Sequence, residues 1–302
     1  MQAKAAIIVL ASGGRDFVAK TVQKLGDQTL QADHVFALSS RPEDLAGLDT
    51  TNPRLSIAVV REGRAAQLND AIALASGRFR YLVFFDDDFI PSRFYLERAV
   101  AILQSSPNIV GLSGRLLADE DLSWSISREE GVCLVNYNEG LAGPVPGTLK
   151  DQPLLVSNMA IRGAALGTIR FDENLPVAGY LEAADFCARL ARCGKIARTD
   201  SLFGVKACLL SPRENGRQIG YAQIANPLYL AREGHLTYRY ALSSIAGNLV
   251  SNLLHHFWFA SALDYRLRLR GNFAAIGHLL RRSHEPFAAR ARAPSESASR
   301  SN

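Results

Sequence analysis

Apolar segments alternate with amphipathic ones throughout residues 1–115, and this alternation constrains the fold more than any other feature of the sequence. Short apolar runs are typical of strands buried on both faces, whereas apolar residues spaced by three or four are typical of helices. Strands are predicted at Ala5–Leu10, His34–Leu38, Leu55–Val60, Tyr81–Phe85 and Ile109–Ser113. Helices are predicted at Asp16–Leu25, Ala65–Ala75 and Ser92–Gln104, the last with Ser92 as its N-cap. The pattern predicts an α/β fold with a mostly parallel sheet flanked by helices.

The pattern changes beyond this region. Residues 116–215 are less regular, and the predicted elements there are strands at Leu154–Ile161, Lys195–Ala197 and Val205–Leu210 and a helix at Glu182–Cys193. Residues 216–283 have an almost wholly helical pattern, whereas residues 284–302 are polar and rich in small residues, as disordered segments are. We therefore expect an α/β domain over residues 1–215, a helical C-terminal extension over 216–283 and a disordered tail over 284–302.

The positive charge of the chain is concentrated at its C-terminal end. The formal net charge is +5, and residues 261–302 alone hold eight Arg against three acidic residues, which accounts for the whole excess. A basic segment attached to a neutral body indicates an anionic surface as a partner. Nucleic acid is not expected to be that partner, because aromatic residues are few there and no nucleic-acid-binding motif accompanies the Arg residues.

Cysteine and apolar patterns exclude other classes of protein. The four Cys residues form no CxxC pair and have no His at metal-finger spacing, so we expect free thiols in a reducing cytosol. No stretch offers about 18 uninterrupted apolar residues, so no transmembrane helix is expected.

Three consecutive carboxylates, Asp86, Asp87 and Asp88, follow the predicted strand Tyr81–Phe85. Crowded carboxylates repel one another and tend to hold protons unless a cation lies between them. Oxygen ligands favour a hard divalent ion such as Mg²⁺ or Mn²⁺, and such ions also bind substrate phosphates. In a parallel sheet, ligands bind beyond the carboxyl ends of the strands, which is where this triplet lies. The alternative interpretation of the triplet is an exposed acidic turn that binds no metal.

Two further polar segments follow predicted strands. Ser12 and Arg15 come after the first strand and before a helix, where backbone N–H groups and an Arg are available to a nucleotide. Arg64 and Asn69 lie on either side of the start of the helix after the third strand. Taken alone, these two residues indicate no more than a turn and a helix surface.

The order and spacing of these motifs resemble the family 2 glycosyltransferases, which have the GT-A nucleotide-sugar-binding fold. The resemblance runs from Ala5 to about Leu210. It rests on Gln28-Thr29, on the "GRxxxxN" segment with Arg64 and Asn69, and on the DxD triplet. It also rests on the segment "SNMAIRGAALGTIRFDENL" and on the "ExxDxxxRxxxxG" pattern of "EAADFCARLARCG", which contains Glu182 and Asp185.

The resemblance implies an inverting transfer of a sugar from a nucleoside-diphosphate sugar to an acceptor hydroxyl. It implies a nucleotide-sugar half over residues 1–115 and an acceptor half over residues 116–215. A Mn²⁺ or Mg²⁺ ion is expected at Asp88 and Asp86. The residues expected to contact the nucleotide are Ser12, Arg15, Ser40, Arg64, Asn69, Asp86 and Asp87. A carboxylate on the Glu182 helix is expected to accept the proton of the acceptor.

Three positions depart from the family pattern. The usual catalytic base is replaced by Ala183, so Glu182 and Asp185, which share a helix face at i and i+3, are the candidates, and either could serve. A pair between Asp185 and Arg189 is the structural alternative. The His that many relatives carry after the last core strand is missing, and the cations nearby are Lys206, Arg213 and Arg217. Ser39 and Ser40 stand where many family members have an acidic residue that binds the nucleotide base. The sequence therefore does not predict which nucleotide the donor carries.

The helical extension indicates where in the cell the protein is located. Its apolar residues are interrupted by Asn, Ser and His and followed by Arg, which suits a helix lying on an anionic membrane surface. Packing against the catalytic domain or a second copy is the alternative. We expect a cytoplasmic enzyme, peripheral on the inner face of the plasma membrane, that acts on a glycan or lipid-linked acceptor in bacterial surface polysaccharide synthesis. The alternative functions are a non-catalytic partner subunit of the same fold, motivated by Ala183, and a nucleotidyltransferase.

Overall fold

The structure, a computed structural model, describes residues 4–11, 17–118, 126–141, 148–177, 180–207, 216–258 and 265–281. Ser12, Arg15, Arg213 and the predicted tail 284–302 lie outside these residues. The chain divides into two compact units. The first unit consists of Met1–Phe171 and Phe186–Leu210, and the second of Asp172–Asp185 and Ser211–Asn302.

Nine strands of the described residues form one sheet in the first unit. In chain order they are β1 Ala5–Leu10, β2 His34–Ser39, β3 Leu55–Val59, β4 Tyr81–Asp86, β5 Phe89–Pro91, β6 Ile109–Leu116, β7 Leu149–Lys150, β8 Asn158–Arg162 and β9 Lys195–Lys206. The helices are α1 Phe17–Leu25, α2 Arg64–Ala75, α3 Tyr95–Ser105, α4 Arg128–Leu141, α5 Gly163–Leu166 and α6 Glu182–Leu190, which divides between the units after Asp185. A 3-10 turn, Pro42–Leu45, follows β2.

The strand order in the sheet is β3-β2-β1-β4-β8-β6-β9-β5, with β7 paired to β9. Strands β1 to β4 are mutually parallel, whereas β8 runs antiparallel to its neighbours β4 and β6. Side chains of the central strands alternate between two hydrophobic cores, as Ile7 and Val9 in one core and Ile8 and Leu10 in the other show. The predicted α/β fold with a mostly parallel sheet flanked by helices is confirmed.

Several predicted boundaries differ from the structure. The strand predicted at Leu154–Ile161 begins only at Asn158. The predicted strand Lys195–Ala197 belongs to one continuous strand, β9, which also includes the first two residues of the strand predicted at Val205–Leu210. Residues 208–210 of that prediction lie outside the described residues. The polar middle residues of β9 had indicated a break, but the strand keeps its pairing with β6 through shifts in register.

Ser92 is not the N-cap of α3, and that prediction is wrong. The helix begins at Tyr95, and it is the main-chain oxygen of Ser92 that accepts a hydrogen bond from the Tyr95 N–H, at 3.0 Å. The side chain of Gln28 fixes this turn, since its amide donates to the Ser92 oxygen at 2.7 Å and accepts from the Leu96 N–H at 3.0 Å. Gln28 therefore holds the chain where it leaves the acidic triplet and β5.

The second unit contains three long helices, α7 Gly216–Arg232, α8 Tyr238–Trp258 and α9 Tyr265–Arg281. Glycines let α7 and α9 approach closely, because a Cβ on Gly220 would collide with the Arg268 carbonyl and one on Gly271 with the Arg217 carbonyl. None of the described helices is long and apolar enough to cross a bilayer.

Buried amides link these three helices. The Asn252 amide donates to Gln223 at 2.7 Å and to Asn272 at 2.9 Å. The Asn272 amide in turn donates to the Gly220 carbonyl at 2.6 Å. Each helix therefore contributes a side chain to one buried hydrogen-bond network, which fixes their register.

Replacement of Gly204 by Ala is expected to destabilise the first unit. Gly204 of β9 faces Pro91 of β5, and a Cβ there would collide with the Phe89 ring and lie 2.5 Å from the Ile90 carbonyl oxygen. We expect the free energy of unfolding to fall by about 3 kcal/mol, measured by urea denaturation. In the matched variant Gly140→Ala the new methyl meets nothing within 4 Å and lies in a helix, so no loss is expected. Equal stability of the two variants would contradict the tight β5–β9 contact.

Candidate active site

The acidic triplet lies at the carboxyl end of β4, where main-chain hydrogen bonds hold all three residues. The N–H of Asp86 donates to the Ser157 oxygen at 3.1 Å, and that of Asp87 donates to the Leu10 oxygen at 3.0 Å. The Asp88 oxygen accepts from the Ala207 N–H at 2.8 Å. Three carboxylates that would separate in water are therefore fixed side by side, and all three residues are buried.

Two cations pair with Asp86. Arg64, the first residue of α2, donates to one carboxylate oxygen, and the Nζ of Lys206, the last residue of β9, lies 3.6 Å from the other. Arg64 and Lys206 belong to elements far apart in sequence, but both elements end or begin at this edge of the sheet, so both side chains contact Asp86. Contact of Arg64 with the nucleotide stays a prediction, and the structure adds Lys206 as a second cation against Asp86.

Asp87 lies near a cation that the sequence analysis missed. Arg128, at the start of α4, donates from Nη2 to the Thr21 hydroxyl at 3.0 Å, and that hydroxyl donates to the Asp87 main-chain oxygen at 2.5 Å. Burial lowers the pKa of the Arg128 guanidinium, against the opposing charge of Asp87. Arg128 lies in a segment for which the sequence analysis predicted neither a motif nor a helix, so no local signal pointed to it.

One carboxylate oxygen of Asp88, Oδ1, is buried without a hydrogen-bond partner among the described residues. Burial is the largest cause of a pKa of about 7 for Asp88; the charges of Asp86 and Asp87 act in the same direction, while Lys206 and Arg64 oppose the change. A cation bound at this oxygen would offset both the desolvation penalty and the repulsion between the carboxylates.

The donor set fits a hard divalent ion that is shared with a substrate. Within the described parts of the chain, no three His, Cys, Asp or Glu side chains converge as they do around a metal held by protein alone. Mg²⁺ and Mn²⁺ sites that use one or two carboxylates and take their other ligands from phosphates and water do not need such a cluster. The oxygen of Asp88 without a donor, together with the neighbouring carboxylate of Asp86, meets that requirement.

A cavity of about 560 Å³ opens at the same edge of the sheet. Its lining includes Ser39 and Ser40 from the end of β2 and Arg64, which contacts Asp86. The Ser40 hydroxyl accepts a hydrogen bond from the Gln67 amide at 3.2 Å. The predicted nucleotide residues Ser40 and Arg64 therefore line one cavity, and through Arg64 this cavity reaches the acidic triplet.

Asp44 is a second residue that the sequence analysis missed. The 3-10 turn returns it to the cavity, where its buried carboxylate accepts from the Ser39 hydroxyl at 2.9 Å and from Arg41 Nε at 3.1 Å. Ser39 and Ser40 had been considered alone as the polar groups after β2. The "RPED" segment carried the signal, since Pro at the first position of a turn brings the following acidic residues back to the strand end.

Asn69 has a structural role. Its amide donates to the Phe171 carbonyl at 3.0 Å and its oxygen accepts from the Phe171 N–H at 2.7 Å. Both ends of the side chain are thus used to hold the segment that leads out of the first unit. Contact of Asn69 with a nucleotide stays a prediction.

The candidate bases lie in the second unit, on the first turn of α6. Glu182 and Asp185 are both buried. The residue before them, Leu181, has a φ of 64°, an uncommon conformation for Leu that is maintained at some cost in free energy. Strain of this kind clusters at functional sites, which is consistent with a specialised role for this turn.

His235 was not identified from the sequence, but it contacts Asp185. The helix α7 ends at Arg232, and Gly234, with a φ of 76°, reverses the chain. The Nδ1 atom of His235 then lies 2.7 Å from Oδ1 of Asp185. The available signal was Gly234 after the end of a helix, followed directly by His235. Nothing in the local sequence connects His235 to Asp185, which lies fifty residues earlier.

No protein-family model and no curated protein matches the chain. Among solved structures, it is similar to mannosyltransferase PcManGT from Pyrobaculum calidifontis in complex with GDP-Man and Mn²⁺, with a TM-score of 0.51 and 17% identity over 96% of this chain and 85% of that one. It is also similar to S. aureus TarS 1-349 in complex with UDP-GlcNAc, with a TM-score of 0.51 and 14% identity over 84% of this chain and 73% of that one. At these identities the likeness establishes a shared fold, the GT-A glycosyltransferase fold.

The raised pKa of Asp88 predicts that the metal-free protein loses stability as the pH rises. Below about pH 4 the carboxyl is protonated in both folded and unfolded chains. Between that pH and about 7 the unfolded chain ionises while the folded one keeps its proton, so the stability contribution of Asp88 falls as pH rises. The variant Asp88→Asn, measured in chelator by thermal and urea unfolding, should therefore equal the wild type near pH 4 and exceed it by up to about 4 kcal/mol at pH 8.

The exposed Asp151 provides the control. Asp151→Asn should change stability little and equally at both pH values. A difference between Asp88→Asn and wild type that stays constant from pH 4 to pH 8 would show that Asp88 is not held in its protonated form.

Proposed function

We propose that this protein is an inverting glycosyltransferase of the family 2 type that transfers a hexose from a nucleoside-diphosphate sugar. The observation that carries the proposal is the buried carboxylate of Asp88, whose Oδ1 has no hydrogen-bond partner in the described parts of the chain. It follows the end of β4, where Arg64 contacts Asp86 and lines the cavity. The GT-A fold supports the proposal, as do structures of that fold solved with GDP-Man and Mn²⁺ or with UDP-GlcNAc. Those two donors carry different bases, so the donor of this chain is a matter for experiment.

The residues of the first unit would bind the donor diphosphate. Asp88, with Asp86, would hold Mn²⁺ or Mg²⁺, and such an ion would stabilise the charge that develops on the leaving diphosphate. Arg64 and Lys206 add two positive charges at the same place. Ser39, Ser40 and the carboxylate of Asp44 offer donors and acceptors to the nucleoside end of the cavity. Asp87 would act through its charge on Arg128.

We propose Glu182 as the group that accepts the proton of the acceptor hydroxyl. The carboxylate of Asp185 is fully buried and engaged by His235, so its position is fixed. Glu182, one turn earlier on the same face of α6, can take the proton that Ala183 cannot. In this arrangement Asp185 and His235 are positioning residues that hold the first turn of α6.

We propose a glycan or lipid-linked glycan as the acceptor and bacterial surface polysaccharide synthesis as the setting. The basic helices of the second unit support this setting, because a lipid-linked acceptor is met at a membrane surface. The enzyme would then work in the cytoplasm, on the inner face of the plasma membrane.

A non-catalytic subunit of the same fold is the second candidate. Ala183 favours it, since the usual position of the base carries no proton acceptor. The two candidates differ in whether replacing carboxylates of α6 changes a rate of transfer.

Binding of one nucleoside diphosphate is expected to require both a metal and Asp88. UDP, GDP, TDP and CDP are titrated calorimetrically with and without Mn²⁺ into the wild type and Asp88→Ala. One diphosphate should bind tightly only with Mn²⁺, and Asp88→Ala should weaken that binding by at least about a hundredfold, because a metal ligand is lost. Asp151→Ala, at an exposed carboxylate, should bind as the wild type does. Absence of metal-dependent binding for all four diphosphates would show that the triplet is an acidic turn.

Replacing Glu182 is expected to cost more activity than replacing Asp185. Glu182→Gln should lower kcat by roughly a hundredfold to ten-thousandfold and leave the KM for the donor nearly unchanged, because only the proton acceptor is lost. Asp185→Asn and His235→Ala should each cost less, and the double variant should be no worse than either, since the two residues act as a pair.

The rate is measured as diphosphate released from the donor that calorimetry identifies. Glu233→Gln, an exposed acidic residue of the same unit, serves as the matched control. If Asp185→Asn is as severe as Glu182→Gln, Asp185 is the base. If neither change alters the rate in an active preparation, the proton acceptor lies elsewhere.

A further inference from the structure

The two last helices of the second unit carry positive charge only. Together α8 and α9 contain five Arg and no Asp or Glu. Four of these residues, Arg239, Arg266, Arg270 and Arg281, are exposed. Surface helices usually mix both signs of charge, so a pair without any acidic residue indicates an anionic partner.

Helix α8 exposes a stripe of large apolar side chains. Leu242, Val250, Leu253 and Leu254 are all exposed, and their spacing of eight, three and one residues places them on one side of the helix. The adjoining face of the helix carries Ile245 and Leu249, which pack against the core of the helical unit. The exposed stripe is therefore additional to the apolar surface that the fold needs.

Helix α9 combines the two features on a single face. Phe273 is 67% exposed and Leu280 is 73% exposed. Their positions share a helix face with Arg266, Arg270 and Arg281, since the intervals are three, four, seven or one residues. Buried Asn272 and Ala275 face the bundle instead. An aromatic ring and a Leu surrounded by Arg side chains are typical of helices that lie in the headgroup region of a bilayer.

We propose that the exposed faces of α8 and α9 bind the surface of an anionic lipid bilayer. The Arg side chains would meet lipid phosphates, and Phe273, Leu280 and the α8 stripe would enter the boundary between headgroups and acyl chains. A second copy of the chain fits less well, because pairing these faces would bring Arg against Arg with no acidic residue to neutralise either. An acidic protein would match the charge but not the apolar stripe.

This proposal concerns the second unit alone and holds whether or not the first unit transfers a sugar. It names a partner that brings the enzyme to its acceptor when the acceptor is lipid-linked. Its test therefore uses a readout that does not involve transfer.

The test is sedimentation of the full chain with vesicles of phosphatidylcholine alone and of phosphatidylcholine with phosphatidylglycerol. The wild type should bind the anionic vesicles, and added salt should weaken the binding. Arg266→Gln with Arg270→Gln should weaken it roughly thirtyfold. Phe273→Ala with Leu280→Ala should weaken it about tenfold or more, at every salt concentration.

Matched controls lie in the first unit. Tyr137 and Leu141 of α4 are each 67% exposed, so Tyr137→Ala with Leu141→Ala removes as much exposed apolar surface elsewhere. Arg54→Gln with Arg192→Gln removes two exposed charges in the same way. Both double variants should bind vesicles as the wild type does.

Three outcomes would overturn the proposal. Absence of binding to anionic vesicles would exclude a lipid partner, and equal loss in the α4 controls would show a non-specific effect. A dimer in sedimentation equilibrium that Phe273→Ala with Leu280→Ala dissociates, without vesicle binding, would show that a second copy covers the face. Calorimetric titration of the diphosphates is run on the same variants, so a failure of lipid binding is separated from a failure of the nucleotide site.

Discussion

The constraint that most shapes the first unit is the burial of three consecutive carboxylates at the end of β4. Burial and mutual repulsion disfavour ionisation of Asp88, and the main-chain bonds at the end of β4 prevent the three residues from separating. Arg64 and Lys206 offset part of this cost at Asp86, and each comes from a different element. The strand order, the short strand β5 and the start of α2 are all arranged so that these charges meet. The crowded carboxylates lower the stability of the fold at this edge of the sheet, and the same arrangement can bind a cation.

The sequence predicts those parts of the fold that follow from local periodicity. The strand Ala5–Leu10 has the predicted bounds, because a fully apolar segment between polar ones has few alternatives. The place of Asp86 and Asp88 at a strand end followed from the same pattern. Elements with mixed composition were less well predicted, since tertiary pairing decides them. Arg198 and Thr199, in the polar middle of β9, still pair with β6, and the turn at Ser92 is fixed by Gln28 rather than by a cap.

Two of the residues that were missed depend on contacts between distant segments. Arg128 reaches Thr21 across 107 positions of sequence. His235 meets Asp185 only because the chain reverses after α7. Motif spacing identifies residues that lie on one element. It does not show which side chain of another element contacts a given carboxylate.

The close approach of α7 and α9 at Gly220 and Gly271 has a consequence for the medium in which the helical unit can stay folded. Packing of one backbone against another, together with the amides of Asn252 and Asn272, does not rely on the expulsion of water for its strength. Cohesion of this kind persists in hydrocarbon, where a bundle held only by apolar side chains gains little from association. The three helices should therefore keep their mutual arrangement when lipid replaces water along their outer surface.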